Sequence, residues 1–195
     1  MDSYMWFLVV VLGVVIVIML WATKTYNRLV RLRNRAAAMW AEIDVELKRR
    51  HDLVPNLVSV VSGYAEHERG TLEEVTQARN LALAARQPAD QAKAENMLSA
   101  SLGRLLADAE SYPQLKAEPA FQSLQEQLAQ VETLIAQARQ SYNLTVQAFN
   151  NAVDTVPTNL VAWFASMEDL EFLGADVDER DVPEVDMQIP APATR

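Results

Sequence analysis

Hydrophobic spacing changes several times along this chain, and each change marks an element. From Tyr4 to Ala22 nineteen successive residues are apolar. At about 1.5 Å of rise per residue, such a helix spans about 28 Å, close to the hydrocarbon thickness of a bilayer. From Tyr26 to about Glu68 the spacing becomes seven. Leu29, Ala36, Ile43, Leu57 and Tyr64 hold one seam position, and Trp40, Leu47, Val54 and Val61 hold the other. This is the pattern of helices packed at small crossing angles. Arg33 and Arg50 intrude on it. No Pro or Gly lies between Val14 and Val54, so the two segments predict one rod over 4–68, roughly 97 Å long. Pro55 is expected to kink it, because its nitrogen has no hydrogen to donate to the His51 carbonyl.

Beyond Gly70 the elements shorten. Thr71-Leu72-Glu73-Glu74 reads as a capping box opening a second helix that runs to about Arg86, with a stripe at Leu72, Val75 and Ala82. Pro88 stops it. Asp90 caps a third helix, 90–111, whose stripe is Leu98, Leu102, Leu105, Ala109 and Tyr112. Pro113 ends that helix, and Pro119 opens a fourth at an allowed first-turn position. In the fourth, Phe121, Leu128, Ile135, Tyr142 and Phe149 alternate with Leu124, Val131, Ala138, Thr145 and Ala152 until Pro157. The apolar piece 160–164 is expected to fold back onto the bundle. From Glu168 nine acids face two arginines without apolar period, so 166–195 is expected to be an acidic, disordered tail.

The fold class predicted is all-α, with 1–23 a transmembrane anchor and 24–165 an elongated antiparallel bundle. Lengths favour three arms, with the second and third helices laid end to end and broken near Pro88. A four-helix up-down bundle is the alternative.

Charge gives the anchor a direction. Asp2 is the only side-chain charge before the apolar run, while Lys24, Arg28, Arg31, Arg33 and Arg35 follow it without an acid among them. Basic residues beside a span stay on the cytoplasmic side. The N-terminus is therefore expected outside, and the bundle in the cytoplasm. The same cluster can attract anionic lipid, at about 1 kcal/mol per residue near the surface. A cleaved signal is not expected, because the run lacks a basic leader and a small-residue cleavage site. The whole chain carries −9; with Asp2 and the five basic residues set aside, residues 36–195 carry −13. Nucleic acid is not an expected partner. Cysteine is absent, which removes disulfides and thiolate metal sites.

Candidate chemistry is sparse. His51 and His67 lie about 24 Å apart on one helix, too far to share a metal. No nucleophile elbow, phosphate loop or metalloprotease motif occurs. No catalytic residue, cofactor or metal is expected. Glu46 and Arg50, and Asp44 and Lys48, are spaced for helix ion pairs. Arg50 on an apolar seam needs a partner or marks a covered surface. Arg49, Arg50, Asp52, Pro55 and Asn56 together form a candidate interaction surface, a polar notch beside the expected bend. Internal pairing of Arg50 with Glu46 or another acid is the structural alternative. Asn27 and Asn143 each follow a tyrosine, and asparagine beside a seam fixes register.

These residues also carry a resemblance. Tyr26-Asn27-Arg28-Leu29-Val30-Arg31-Leu32-Arg33-Asn34, then Trp40, the run Ile43 to Val58 containing Lys48-Arg49-Arg50-His51-Asp52-Leu53-Val54-Pro55-Asn56-Leu57-Val58, and Ala107 to Ala117 resemble the LemA family. The resemblance covers nearly the whole chain. It implies a bacterial protein with an N-terminal span and a helical bundle, without established catalytic activity. Some relatives are linked to the forming of internal membrane compartments. Met167-Glu168-Asp169-Leu170-Glu171 departs from the aromatic-glutamate run of that family. The expected function is a scaffold of the inner membrane, joined to lipid, to copies of itself or to a membrane-protein partner. A sensor or adaptor with a small-ligand site near Arg50, Asp52 and Asn56 is the rival.

Overall fold

A computed structural model describes residues 2–65, 68–86 and 88–173. Its elements are α1 (Asp2–Ser62), α2 (Arg69–Ala84), α3 (Pro88–Ala109), α4 (Pro113–Lys116), α5 (Pro119–Asp154) and α6 (Thr158–Phe164). The chain is all-α among the described residues. With 61 residues, α1 is about 92 Å long. Side chains from Tyr4 to Trp21 stand exposed, and α1 alone among the described helices is long and apolar enough to cross a bilayer.

Beyond that segment α1 buries its seven-residue seam. Leu29, Ala36, Ile43, Leu47, Val54, Leu57 and Val61 are all buried. Ala65 is buried in place of Tyr64, which is exposed, and Arg33 lies outside the core. α5 runs antiparallel along α1, with Leu29 and Phe149 in one core cluster and Ile43 and Ile135 in another. Every seam position predicted for α5 is buried.

The other helices cover only part of this pair. α2 and α3 form an antiparallel hairpin: Thr71 donates to Asp108 at 3.0 Å and Arg104 meets Glu74. The hairpin packs on the far half of α1 and the first half of α5, around Val54, Leu57, Val75, Leu98, Leu105 and Phe121. The result is an up-down four-helix head on a two-helix stalk. End-to-end stacking of α2 and α3, expected for a three-arm bundle, does not occur. Side by side, each short helix buries its stripe against the other, and Ala78 and Ala82 leave room for close approach.

Local details differ for related reasons. α2 begins at Arg69, so Gly70 lies inside it rather than breaking the rod. The expected capping box does not form, because Thr71 and Glu74 are both drawn across to α3. α1 ends at Ser62, earlier than expected, and continues through Pro55. The four-residue helix α4, not expected from the sequence, places Leu115 in the core of the head.

The acidic tail also begins differently. Residues 167–173 form an extended strap along the stalk. Asn150 exchanges two hydrogen bonds with the backbone of Leu170, each 2.9 Å, and Asn143 exchanges two with Leu173, each 3.0 Å. The Tyr142 hydroxyl donates to the Glu171 carbonyl at 3.0 Å. Leu170 and Leu173 pack beside Trp40 and Tyr142 on the stretch that the α2–α3 hairpin leaves open. The expectation of disorder from 166 is thus corrected as far as 173; residues 174–195 lie outside the described residues.

Candidate functional site

Arg50 occupies a seam position of α1, where its neighbours along the helix are apolar. It is 1% exposed. Its Nη2 meets the buried carboxylate of Glu95 on α3. Nη1 donates to the Ser99 hydroxyl at 2.8 Å and to Glu132 of α5 at 2.7 Å. Ser99 in turn donates to Glu132 at 3.2 Å. One guanidinium therefore ties three helices together, while its Nε has no hydrogen-bond partner.

His51 completes the cluster, with Nε2 2.9 Å from the second Glu95 oxygen. Burial alone would raise the Glu95 carboxyl. The His51 hydrogen bond and the Arg50 guanidinium outweigh it and hold the group below its ordinary value. An ionised carboxylate only accepts, so His51 donates through Nε2. Nearby on α5, burial and the like charge of Arg50 push Arg139 downward.

The backbone at this point is also repaired from outside the helix. Pro55 cannot donate to the His51 carbonyl. Arg79 of α2 supplies Nε–H to that carbonyl at 2.7 Å. The carbonyl opened by proline thus docks the hairpin, and α1 passes through without a break.

A cavity of about 290 Å³ opens beside the cluster between α3 and α5. Leu102, Leu106 and Leu128 wall it, and Arg50, Ser99 and Glu132 lie at its polar end. The Glu132 side chain is 54% exposed, in contrast to Glu95 at 1%. Leu173 of the strap lines a second, much smaller pocket together with Trp40, Glu95 and Arg139.

The candidate surface read from sequence divides accordingly. Arg50 faces inward and is no part of an exposed notch. Arg49, Asp52, Pro55 and Asn56 face solvent and do not join it. The expected Glu46–Arg50 pair is absent: Glu46 lies 4.0 Å from Arg49 instead, and its Oε2 lacks a hydrogen bond. Lys24, Arg28, Arg31, Arg33 and Arg35 are all exposed just beyond the apolar run. Among the described residues no three His, Asp or Glu converge on a metal position. His67 lies outside the described residues.

Sequence reasoning missed Glu95, Ser99, Glu132, Arg79 and Asn150. A signal existed for the first. Stepping back from Leu102 and Leu98 by three or four residues reaches Glu95, an acid on the core stripe of α3. Opposite charges intruding on two separate seams are candidates to meet.

Fold and site together define a membrane-associated, all-helical protein whose four-helix head is pinned by a buried ionic cluster. Residues 39–187 match the LemA family, and the chain belongs to it. It is 25% identical to Protein LemA of Metamycoplasma hominis over 158 residues, which cover 79% of this chain and 71% of that protein. It is 22% identical to Magnetosome protein MamQ of Magnetospirillum gryphiswaldense over 173 residues, covering 75% of this chain. Magnetosome protein MamQ 2 of Paramagnetospirillum magneticum is similar to the same degree. The chain spans 64% of the length of these magnetosome proteins.

Proposed function

We propose that this protein is a scaffold of the bacterial inner membrane, with its N-terminus outside and its bundle in the cytoplasm. In this reading it organises membrane or envelope components by associating with itself or holding a membrane-protein partner. It is not an enzyme. The observation that carries the reading is the continuity of α1, in which an exposed apolar segment runs without a break into the bundle. Such a rod holds a rigid head at a fixed distance from the bilayer. The five exposed basic residues beyond the apolar run support the orientation. The likeness to proteins named for the magnetosome supports a role linked to membrane compartments.

Two measurements test it. A reporter fused after Phe172 is expected to be active only in the cytoplasm; activity outside overturns the orientation. Cross-linking of the full chain in intact membranes is expected to give a homo-oligomer or a defined adduct. Monomer alone, at native abundance, overturns the scaffold.

The cavity beside Arg50 favours a second reading, a sensor or adaptor for a small anion with a short apolar body. Octanoate is the probe. A Cβ at Gly103, in the cavity wall, meets nothing within 4 Å. Gly103→Phe therefore adds a ring at the cavity wall from a position where the Cβ itself meets no clash. A thermal shift with octanoate that this variant abolishes supports the sensor; no shift in the parent chain removes it.

A further inference from the structure

Three residues separate the end of α5 from the start of α6, whose two faces differ. Ala162 is 1% exposed and packs with Leu29, Phe149 and Ala152. On the other side Leu160, Trp163 and Phe164 are 57%, 74% and 80% exposed, with Val156 at 74% just before the helix. Leu160, Trp163 and Phe164 follow the spacing of a single helical face, and Val156 lies in the turn that leads into it. Trp163 and Phe164 pack edge to face at 4.8 Å, against each other rather than into the core. From Thr155 to Met167 no residue is charged, although 22% of the chain is. An uncharged, aromatic surface of this size on an acidic protein calls for a partner.

Its height on the rod identifies that partner. Leu29 lies seven residues beyond Ala22, about 10 Å along the axis from the end of the apolar run. α5 continues past Phe149 to Asp154, which carries it about 8 Å back toward the bilayer. Thr25 is buried while Lys24 and Tyr26 beside it are exposed, so the bundle reaches to within a turn of the span's exit. The headgroup layer is about 5–8 Å deep on each side. A packed helix stands about 8–10 Å to the side of its neighbour. A span tilt of about 20°, ordinary for membrane helices, therefore lowers that side by a further 3 Å or so.

From this placement we infer that α6 is a second membrane contact: Val156, Leu160, Trp163 and Phe164 seat in the lipid interface beside the span. Tryptophan favours that depth, where the ring body is in an apolar layer and the indole N–H is wet. Exposed Arg28 and Arg31 stand at the same level of the rod, next to lipid phosphates. One helix alone leaves the head free to rotate about its axis. A foot on one side fixes both rotation and tilt, and so fixes which face of the head looks along the membrane. The inference rests on the membrane-anchored reading of α1.

Tryptophan fluorescence in vesicles separates the two. The full chain is reconstituted in phosphatidylcholine–phosphatidylglycerol vesicles carrying bromine high on the acyl chains. Trp6, Trp21 and Trp40 are replaced by Phe, leaving Trp163; a companion keeps Trp21 alone. Both are expected to show blue-shifted emission and bromine quenching, with the quenching of Trp163 weaker because it sits higher in the interface. Quenching of Trp21 with Trp163 unaffected overturns the foot and leaves the anchor standing. Loss of quenching at both positions overturns the anchor and the foot with it. Water shielding of Trp163 that appears only at high protein-to-lipid ratio assigns the patch to a second copy and overturns the inference. The chain has no cysteine. Should the Phe replacements unfold it, Phe164→Cys carrying an environment-sensitive dye reads the same outcomes with every native tryptophan in place.

Discussion

Arg79 donates its Nε–H to the carbonyl of His51, 2.7 Å away, the carbonyl that Pro55 leaves without a helical donor. A defect in one helix is thus the docking point of another. Arg79→Ala is expected to cost about 1.5–3 kcal/mol, the range for hydrogen bonds from charged groups. Pro55→Ala restores a backbone N–H, so in that background Arg79→Ala is expected to cost much less. Thermal unfolding of the four members of this cycle measures the coupling. Equal costs in both backgrounds would show that Arg79 acts elsewhere.

Removing Arg50 alone leaves Glu95 buried beside one remaining partner. Arg50→Met is expected to destabilise by about 3–5 kcal/mol. Replacing Arg50, His51 and Glu95 together by apolar residues of similar volume is expected to be far milder, near neutral or stabilising. Denaturant titration of the full chain in detergent compares them. A triple variant worse than Arg50→Met would mean that packing, not charge pairing, holds this point.

The Glu95 carboxyl titrates lower in the folded state than its ordinary value of 4.5. Its contribution is therefore present above about pH 4.5 and is lost as pH falls through the lowered folded value. Glu95→Gln is expected to be less stable than the parent at pH 7, and the gap is expected to narrow on acidification below 4.5. A gap unchanged from pH 7 into that range would show the carboxylate to be unlinked to folding.

The strap depends on two asparagines seven residues apart. Asn143→Ala with Asn150→Ala removes all four of their hydrogen bonds to Leu170 and Leu173. Amide exchange at Leu170 and Leu173 is expected to accelerate strongly, while exchange in the four-helix head stays unchanged. Protection retained at both amides would assign the strap's order to its leucines.

Ile135 is 2% exposed on the stalk's core face. Ile135→Ala is expected to cost about 2–5 kcal/mol. An unmoved melting temperature would mean that the stalk closes over the void.

The sequence by itself determined the long-period features whose cause lies along one helix, though not the short helix α4 or the start of α2. The apolar run, the seam of α1, the uninterrupted alternation from Phe121 to Ala152 and the proline boundaries are all one-dimensional patterns. Each follows from helical period and backbone chemistry alone. Even the free carbonyl at His51 was legible, because it belongs to Pro55. Which group fills that carbonyl was not, since Arg79 lies 28 residues away. The same division holds for the charges. Arg50 announced that it needed a partner, and the nearby Glu46 has the right spacing. The partners are Glu95 and Glu132 because the seam turns Arg50 inward toward α3 and α5. The hairpin of α2 and α3 was equally a three-dimensional matter. Their stripes fit either layout, and the choice rests on how they pack together against α1 and α5. The strap was hidden for the opposite reason. Its acids point to solvent and mask the pattern, while the groups that order it are backbone amides and carbonyls, which have no sequence signature. Their partners, Asn143 and Asn150, stand side by side only once α5 is a helix.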